Sequence, residues 1–101
     1  MKIAITSEGN TLNAQIDSRF GRCSYFAIYD TETKQTEFLE NPAKEASGGA
    51  GPAAVQFVAK QGVRKIVAGE FGGKTVPLFQ SLNIEMINES GKTIEQIISE
   101  L

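Results

Sequence analysis

Helix-like and strand-like segments alternate along residues 52–101, and this alternation restricts the fold more than any other feature of the sequence. The pattern predicts, in order, a helix over 52–62, a strand over 65–68, a helix over 75–82, a strand over 84–87 and a final helix from residue 93. Strands that are separated by helices pair in parallel through right-handed crossovers. The second half of the chain therefore predicts an α/β fold.

The first half of the sequence predicts three strands and two long loops. The strands cover 3–6, 25–30 and 35–40, and the turn "TETK" joins the last two as a hairpin. Residues 8–22 and 41–51 contain many turn formers and are predicted to be irregular. The simplest arrangement is a five-stranded mixed sheet in the order 3-2-1-4-5, with strand 2 antiparallel and three helices. This is the ribonuclease-H-like order.

The helix ends carry their own signals. Thr75 is placed to cap the second predicted helix. Thr93 and Gln96 have the spacing of a capping box, which predicts the start of the third helix. Its core stripe is predicted to consist of Ile94, Ile97, Ile98 and Leu101.

Four connections are predicted to leave the sheet at a single edge: 8–22, 41–51, 69–74 and 88–92. Ligands of open α/β sheets bind at the edge where the parallel strands end. Two irregular loops of this length are also unusual in a small domain without a functional use. We therefore expect the functional site at this edge.

The composition disfavours several partners. The chain of 101 residues, predicted to be a single domain over 1–101, has a net charge of −2 and no basic run, which disfavours nucleic acid. No apolar stretch approaches the roughly 20 residues that a bilayer requires, and the N-terminus is typical of a strand rather than a secretory signal. The single cysteine, Cys23, permits no internal disulfide, which fits a cytoplasmic location.

Residues for catalysis are scarce. The chain contains no histidine, so the usual general base and the commonest metal ligand are both missing. The carboxylates expected near the loop edge are Glu8, Asp17 and Glu70, and the only other aspartate is Asp30. These residues cannot supply the metal-binding set of a ribonuclease H. We predict that the protein is not an enzyme.

The stretch "VAGEFGGKT", residues 67–75, resembles a nucleotide-binding P-loop but has the wrong spacing. Gly69 is separated from Gly73 by three residues, whereas the Walker A pattern requires four between its first glycine and the Gly-Lys-Thr. A glycine turn between a strand and a helix still leaves N–H groups free to face an anion. Binding of a small anion or nucleotide over Gly69–Thr75 therefore remains an alternative.

The predicted edge carries residues that suit an anion. Arg19 and Arg22 supply planar, permanently charged forks, Gly21 permits close approach of a ligand, and Phe20 could form a pocket wall. Lys74 and the glycines of 47–51 and 69–74 could add a charge and free amides. The structural alternative is that Phe20 fills the core, Gly21 forms a turn, and the arginines and Lys74 face water.

Cys23 has two interpretations. As a thiolate beside Arg22 it could be a soft ligand for copper, iron or a cluster. As the only thiol of the chain it could equally be a small buried apolar residue. One thiolate cannot enclose a metal, and structural zinc is excluded because too few ligands are present.

Over almost its whole length the chain resembles the dinitrogenase iron–molybdenum cofactor biosynthesis family, which includes NifX-like proteins and the C-terminal domain of NifB. The segments that carry the resemblance are "KIAITSEG", "DSRFGRCSYFAIYD", "NPA" followed by "GGAG", "GVRKIVAGEFGGKTVPLF", "LNIEMI" and "SGKTIEQII". The chain departs from the family where relatives often carry histidine. Arg19 stands before Phe-Gly-Arg, and Ser47 and glycines stand in the second loop.

The resemblance implies a ribonuclease-H-like fold that binds or carries a metal–sulfur cluster, such as an iron–sulfur or molybdenum-containing cluster, or its precursor, without catalysing a reaction. The matching positions are Arg19, Phe20, Gly21, Arg22, Gly48, Gly49, Gly51, Gly69, Gly72 and Gly73. With no histidine, binding would rest on charge, backbone amides and Cys23. The implied partners are the cluster and a cluster-assembly or acceptor protein. The alternative is a metal-free regulatory module that binds a partner through the same loops.

Overall fold

A computed structural model describes residues 1–101 as five strands and three helices. Their bounds are β1 (Lys2–Ser7), β2 (Tyr25–Asp30), β3 (Thr36–Glu40), α1 (Ala50–Lys60), β4 (Val63–Ala68), α2 (Thr75–Ser81), β5 (Glu85–Asn88) and α3 (Ile94–Ser99). Every predicted element is present, and its ends differ from the predicted ones by at most two residues.

The strands form one sheet in the order β3-β2-β1-β4-β5. β2 runs antiparallel to both β1 and β3, whereas β1, β4 and β5 are parallel. Ile5 lies at the centre of the sheet, with Ala27 as its partner on β2 and Val67 on β4. The predicted mixed α/β sheet with three helices is confirmed. None of the helices has the length and apolarity needed to cross a membrane.

Neighbouring side chains along the central strands belong to two different apolar cores. Ala4 of β1 lies in the larger core, together with buried residues of α1 and α2, whereas Ile3 and Ile5 lie in the smaller core with residues of α3. This division follows from the period of two in a strand, which places neighbouring side chains on opposite faces. The strands β1, β2 and β4 are therefore largely buried, whereas the edge strands β3 and β5 contain no buried residue.

The capping box of Thr93 and Gln96 is confirmed, because each side chain bonds the backbone N–H of the other. The predicted cap at Thr75 is wrong. Thr75 is the first residue of α2, and its hydroxyl donates to the Gly72 carbonyl over 2.7 Å instead of accepting from the helix. Leu101 was also predicted in the core stripe, but α3 ends at Ser99 and the Leu101 side chain is 48 % exposed.

Lys34, in the hairpin turn, adopts the left-handed conformation with φ 65°. This conformation costs a residue with a Cβ about 1 kcal/mol, whereas glycine adopts it freely. We expect Lys34→Gly to raise the free energy of unfolding by about 1 kcal/mol in chemical denaturation. Glu32→Gly is the control in the same turn, where φ is not positive, and it should give no gain. Equal gains in both variants would contradict the conformational explanation.

Candidate functional site

Three segments meet at the edge where β1, β3 and β4 end, and we call them the rim: residues 18–23, 47–51 and 69–74. The first and third segments are joined by backbone hydrogen bonds. The Gly69 N–H donates to the Asp17 carbonyl over 3.4 Å, and the Phe20 N–H donates to the Glu70 carbonyl over 3.3 Å. The predicted meeting of these loops at one edge is therefore observed.

Glycines bring the rim segments into close contact. A Cβ at Gly69 would lie 2.6 Å from the Ser18 Cα, and one at Gly21 would lie 3.0 Å from the Gly51 Cα. A Cβ at Gly51 would lie 2.9 Å from the Thr75 Cγ2. The absence of a side chain at these three glycines therefore allows the loops to pack together, and Gly51 also lines the groove between α1 and α2.

The other rim glycines are open to solvent. A Cβ at Gly48, Gly49, Gly72 or Gly73 would meet no atom within 4 Å. An open groove of about 290 Å³ lies between the starts of α1 and α2. It is lined by Gly49, Ala50, Gly51, Pro52, Gly72, Gly73, Lys74 and Thr75. Because no carboxylate lines this groove, a negatively charged ligand would meet no direct repulsion there.

Several backbone amides that line the groove donate no hydrogen bond within the chain: those of Ala50, Gly51, Gly72, Gly73 and Lys74. Neither α1 nor α2 has an acidic residue in its first turn or a side chain that caps its N-terminus. The amides at the start of α1 and in the turn before α2 are therefore free of side-chain partners within the chain. Together with the exposed Lys74, these amides can bind the outer atoms of an anion.

Arg22 is bonded to the loop between β3 and the second rim segment. Its Nη1 donates to the Lys44 carbonyl over 3.0 Å and to the Ala46 carbonyl over 2.5 Å. Arg22 does not line the groove. Its visible role is to hold the backbone that leads into α1, whereas the sequence analysis predicted a direct anion contact.

Arg19 is paired with Asp17. Its Nε lies 3.3 Å from Oδ1 of the Asp17 carboxylate, which is 3 % exposed, and the Arg19 backbone N–H also donates to Oδ1 over 2.9 Å. The hydrogen bond and the charge of Asp17 raise the pKa of Arg19 above its ordinary value. The Arg19 side chain is 60 % exposed, so its guanidinium is paired with Asp17 on one side and open to solvent on the other.

Phe20 and Cys23 lie in the larger core rather than at the surface of the rim. Phe20 is 2 % exposed, with its ring centroid 5.0 Å from that of Phe79 and 5.7 Å from that of Phe26. Cys23 is fully buried. The structural alternative therefore describes Phe20 and Cys23 better than the predicted binding roles, because ordering an aromatic ring and a thiol inside the core removes both from a ligand at the groove.

Burial, followed by the charge of Asp17, raises the pKa of Cys23 to about 12 from an ordinary value of 9.0. Between these pH values the unfolded chain loses the thiol proton and the folded chain keeps it. Stability from this group is therefore fully present below pH 9 and is lost as the pH rises toward 12. We expect the free energy of unfolding to fall by up to about 1.4 kcal/mol per pH unit in this window. Cys23→Ala, measured by the same denaturation series, should lack this part of the slope.

The sequence analysis assigned no role to Asn41, a buried residue that contacts the first rim segment. The side-chain Nδ2 of Asn41 donates to the carbonyls of Gly21 and Cys23, each over 3.0 Å. The sequence signals at Asn41 were its place before Pro42, which is typical of a turn, and the family-like segment "NPA" that it begins. No group of three or more cysteine, aspartate and glutamate side chains is arranged to hold a metal ion.

Comparison with known proteins places the whole chain in one group. Residues 1–101 match the family described as dinitrogenase iron-molybdenum cofactor. An uncharacterized protein of Methanocaldococcus jannaschii is 31 % identical over 101 residues, which cover 97 % of this chain and 82 % of that protein.

Two solved structures are similar over nearly the full length. The apo form of the orange protein from Desulfovibrio gigas has 33 % identity and a TM-score of 0.92, with 98 % of this chain and 84 % of that chain covered. A putative NifB protein from Thermotoga has 32 % identity and a TM-score of 0.84, with 97 % and 84 % covered. The fold described above is thus shared with both proteins.

Proposed function

We propose a carrier function for this chain, which belongs to the dinitrogenase iron-molybdenum cofactor family. The protein binds an anionic metal–sulfur cofactor of the iron–molybdenum type, or its precursor, and assists the assembly or transfer of the cluster without catalysing a reaction. Its other partner would be a cluster-assembly or acceptor protein, and its location the cytoplasm. The ribonuclease-H-like classification of the sheet stays a prediction.

The observation that supports this function most directly is the groove between α1 and α2. Its unpaired amides are hydrogen-bond donors, and Lys74 adds a positive charge. Both suit the sulfide or oxide atoms on the outside of a cluster. A bare metal cation would instead require a set of protein ligands that the chain lacks. The donor set therefore fits a cluster that arrives already assembled.

Such binding also suits transfer. A cargo held by amide hydrogen bonds and charge can leave without breaking a bond between the metal and a protein ligand. The exposed glycines 48, 49, 72 and 73 leave the groove open on the solvent side. An acceptor protein could therefore approach the cargo directly.

The test is anaerobic expression and reconstitution with iron, sulfide and molybdate, followed by elemental analysis and a visible spectrum. We expect near-stoichiometric metal in the wild-type protein and in Cys23→Ala, because the thiol is buried away from the groove. Loss of metal in Cys23→Ala alone would shift the binding site to the thiol. No metal in either protein would contradict the carrier function.

A second candidate is a binder of small oxyanions or nucleotides at Gly69–Thr75. It is favoured by the same observation, since unpaired amides at a helix start also suit phosphate. Thermal-shift measurements with phosphate and ATP would detect it. A rise of the melting temperature with phosphate, in a protein that does not load metal, would favour this candidate over the carrier.

A further inference from the structure

Asn41, the residue after β3, ties the first rim segment to the start of the loop that leads to the second rim segment. It is 6 % exposed, and its Nδ2 donates to the Gly21 and Cys23 carbonyls over 3.0 Å each. Its Oδ1 accepts from the Ala43 N–H over 3.0 Å. The side chain thus uses both donors of its amide and one acceptor inside the protein.

The two carbonyls that Asn41 binds stand on either side of Arg22. The backbone of Arg22 is therefore fixed in both directions, and its guanidinium is aimed at the loop that follows Asn41. There it holds the carbonyls of Lys44 and Ala46. The two loops are thus linked by side chains from both sides. Asn41 donates to the loop of residues 18–23, and Arg22 of that loop donates to the residues that follow Asn41.

The loop that Arg22 holds leads straight to the groove. Gly49, three residues after Ala46, is the N-cap of α1, and the unpaired amides of Ala50 and Gly51 follow it. No atom packs against the Cβ position of Gly48 or Gly49, and the Gly49 carbonyl accepts from the Ala53 N–H of α1. The hydrogen bonds of Arg22 are therefore the last that a side chain makes to this loop before α1 begins.

We infer that Asn41 is a positioning residue for the groove: by fixing the backbone around Arg22, it sets the conformation of residues 44–49 and aims the α1 amides at the ligand. This inference rests on the proposed function. Asparagine is required because the position needs two donors and an acceptor in one short side chain. Aspartate, of the same shape, would present oxygen to the two carbonyls.

The experiment compares the wild-type protein with Asn41→Asp by NMR of the amides, first without ligand and then during titration with molybdate. In the wild type we expect the amides of Gly48, Gly49 and Gly51 to shift together with those of Gly72 and Gly73. In Asn41→Asp we expect residues 44–49 to become mobile on the fast timescale. Affinity for molybdate should fall at least tenfold, with the remaining shifts confined to Gly72 and Gly73.

Asn13→Asp is the matched control, because it makes the same change in charge at an exposed position with no side-chain hydrogen bond. It should titrate like the wild type. Should Asn41→Asp fail to fold, Asn41→Ser keeps one donor without adding a charge, and we expect the same mobility at 44–49. Asn41 variants that keep 44–49 rigid and bind molybdate like the wild type would overturn the inference.

Failure of the proposed function has a different signature. If the wild-type amides did not shift on addition of molybdate, the proposal that this anion binds at the groove would be wrong. The measurement without ligand would still decide the role of Asn41. Mobile 44–49 in the variant would support positioning, and rigid 44–49 would refute it.

Discussion

Gly69→Ala is expected to lower the free energy of unfolding by about 2–3 kcal/mol, in the upper part of the roughly 1–3 kcal/mol that overpacking usually costs. The added Cβ would lie 2.6 Å from the Cα of Ser18, and backbone cannot move aside as a flexible side chain can. Relief of this contact would separate the loops and weaken the Gly69 N–H bond to the Asp17 carbonyl. Chemical denaturation measures the loss, which corresponds to roughly 10–20 °C in melting temperature.

Gly72→Ala is the matched control three residues further along the same turn. No atom lies within 4 Å of its Cβ position, and the φ of Gly72 is not positive. Its effect on stability should stay within about 0.5 kcal/mol, as for most surface substitutions. If the two variants were equally stable, the close contact between the first and third rim segments would be refuted.

This pair of glycines shows what the sequence could not resolve. Gly69 and Gly72 lie in one short turn, and both suggested an anion site from their residue type alone. Only the packing of Ser18 against Gly69, from a loop about 50 residues away, separates a glycine that holds the loops from one that is free to face a ligand. A local pattern does not contain such a contact.

The fold was predictable for a physical reason. The alternation of helix and strand, together with the hairpin of β2 and β3, leaves few arrangements in which connections stay short and right-handed. The shared edge of the loops then followed from strand direction. Capping of α2 was predicted wrongly because Thr75 fits either the N-cap or the first helical position, and the Gly72 carbonyl decides between them.

The charged candidates were harder to interpret from the sequence. Arg19 stands two residues from Asp17, so its ion pair is local and could have been considered. The partners of Arg22 are main-chain carbonyls of Lys44 and Ala46, and the types of these two residues do not indicate that they would bind an arginine. Both arginines were predicted to meet a ligand, but each has a partner in the protein. The exposed cation left at the groove is that of Lys74.

Lys74→Glu is therefore expected to reduce cargo loading more than any other single change of charge. The substitution removes the positive charge at the groove and adds a negative one beside the unpaired amides of Gly72 and Gly73. A multiply charged anion at contact distance would lose affinity on the order of tenfold to a hundredfold, given about 1 kcal/mol per exposed unit charge. Elemental analysis after reconstitution with iron, sulfide and molybdate measures the loss.

Lys2→Glu gives the matched control at the opposite edge of the sheet, where β1 begins. Each variant takes the net charge from −2 to −4, because one positive charge is replaced by a negative one. If the net charge of the protein controlled loading, both variants would load less metal to the same extent. If the cargo binds at the groove, only Lys74→Glu should load less. The difference should shrink as salt is added, since screening weakens exposed charges. Equal loading of the two variants at low salt would place the cargo elsewhere on the protein.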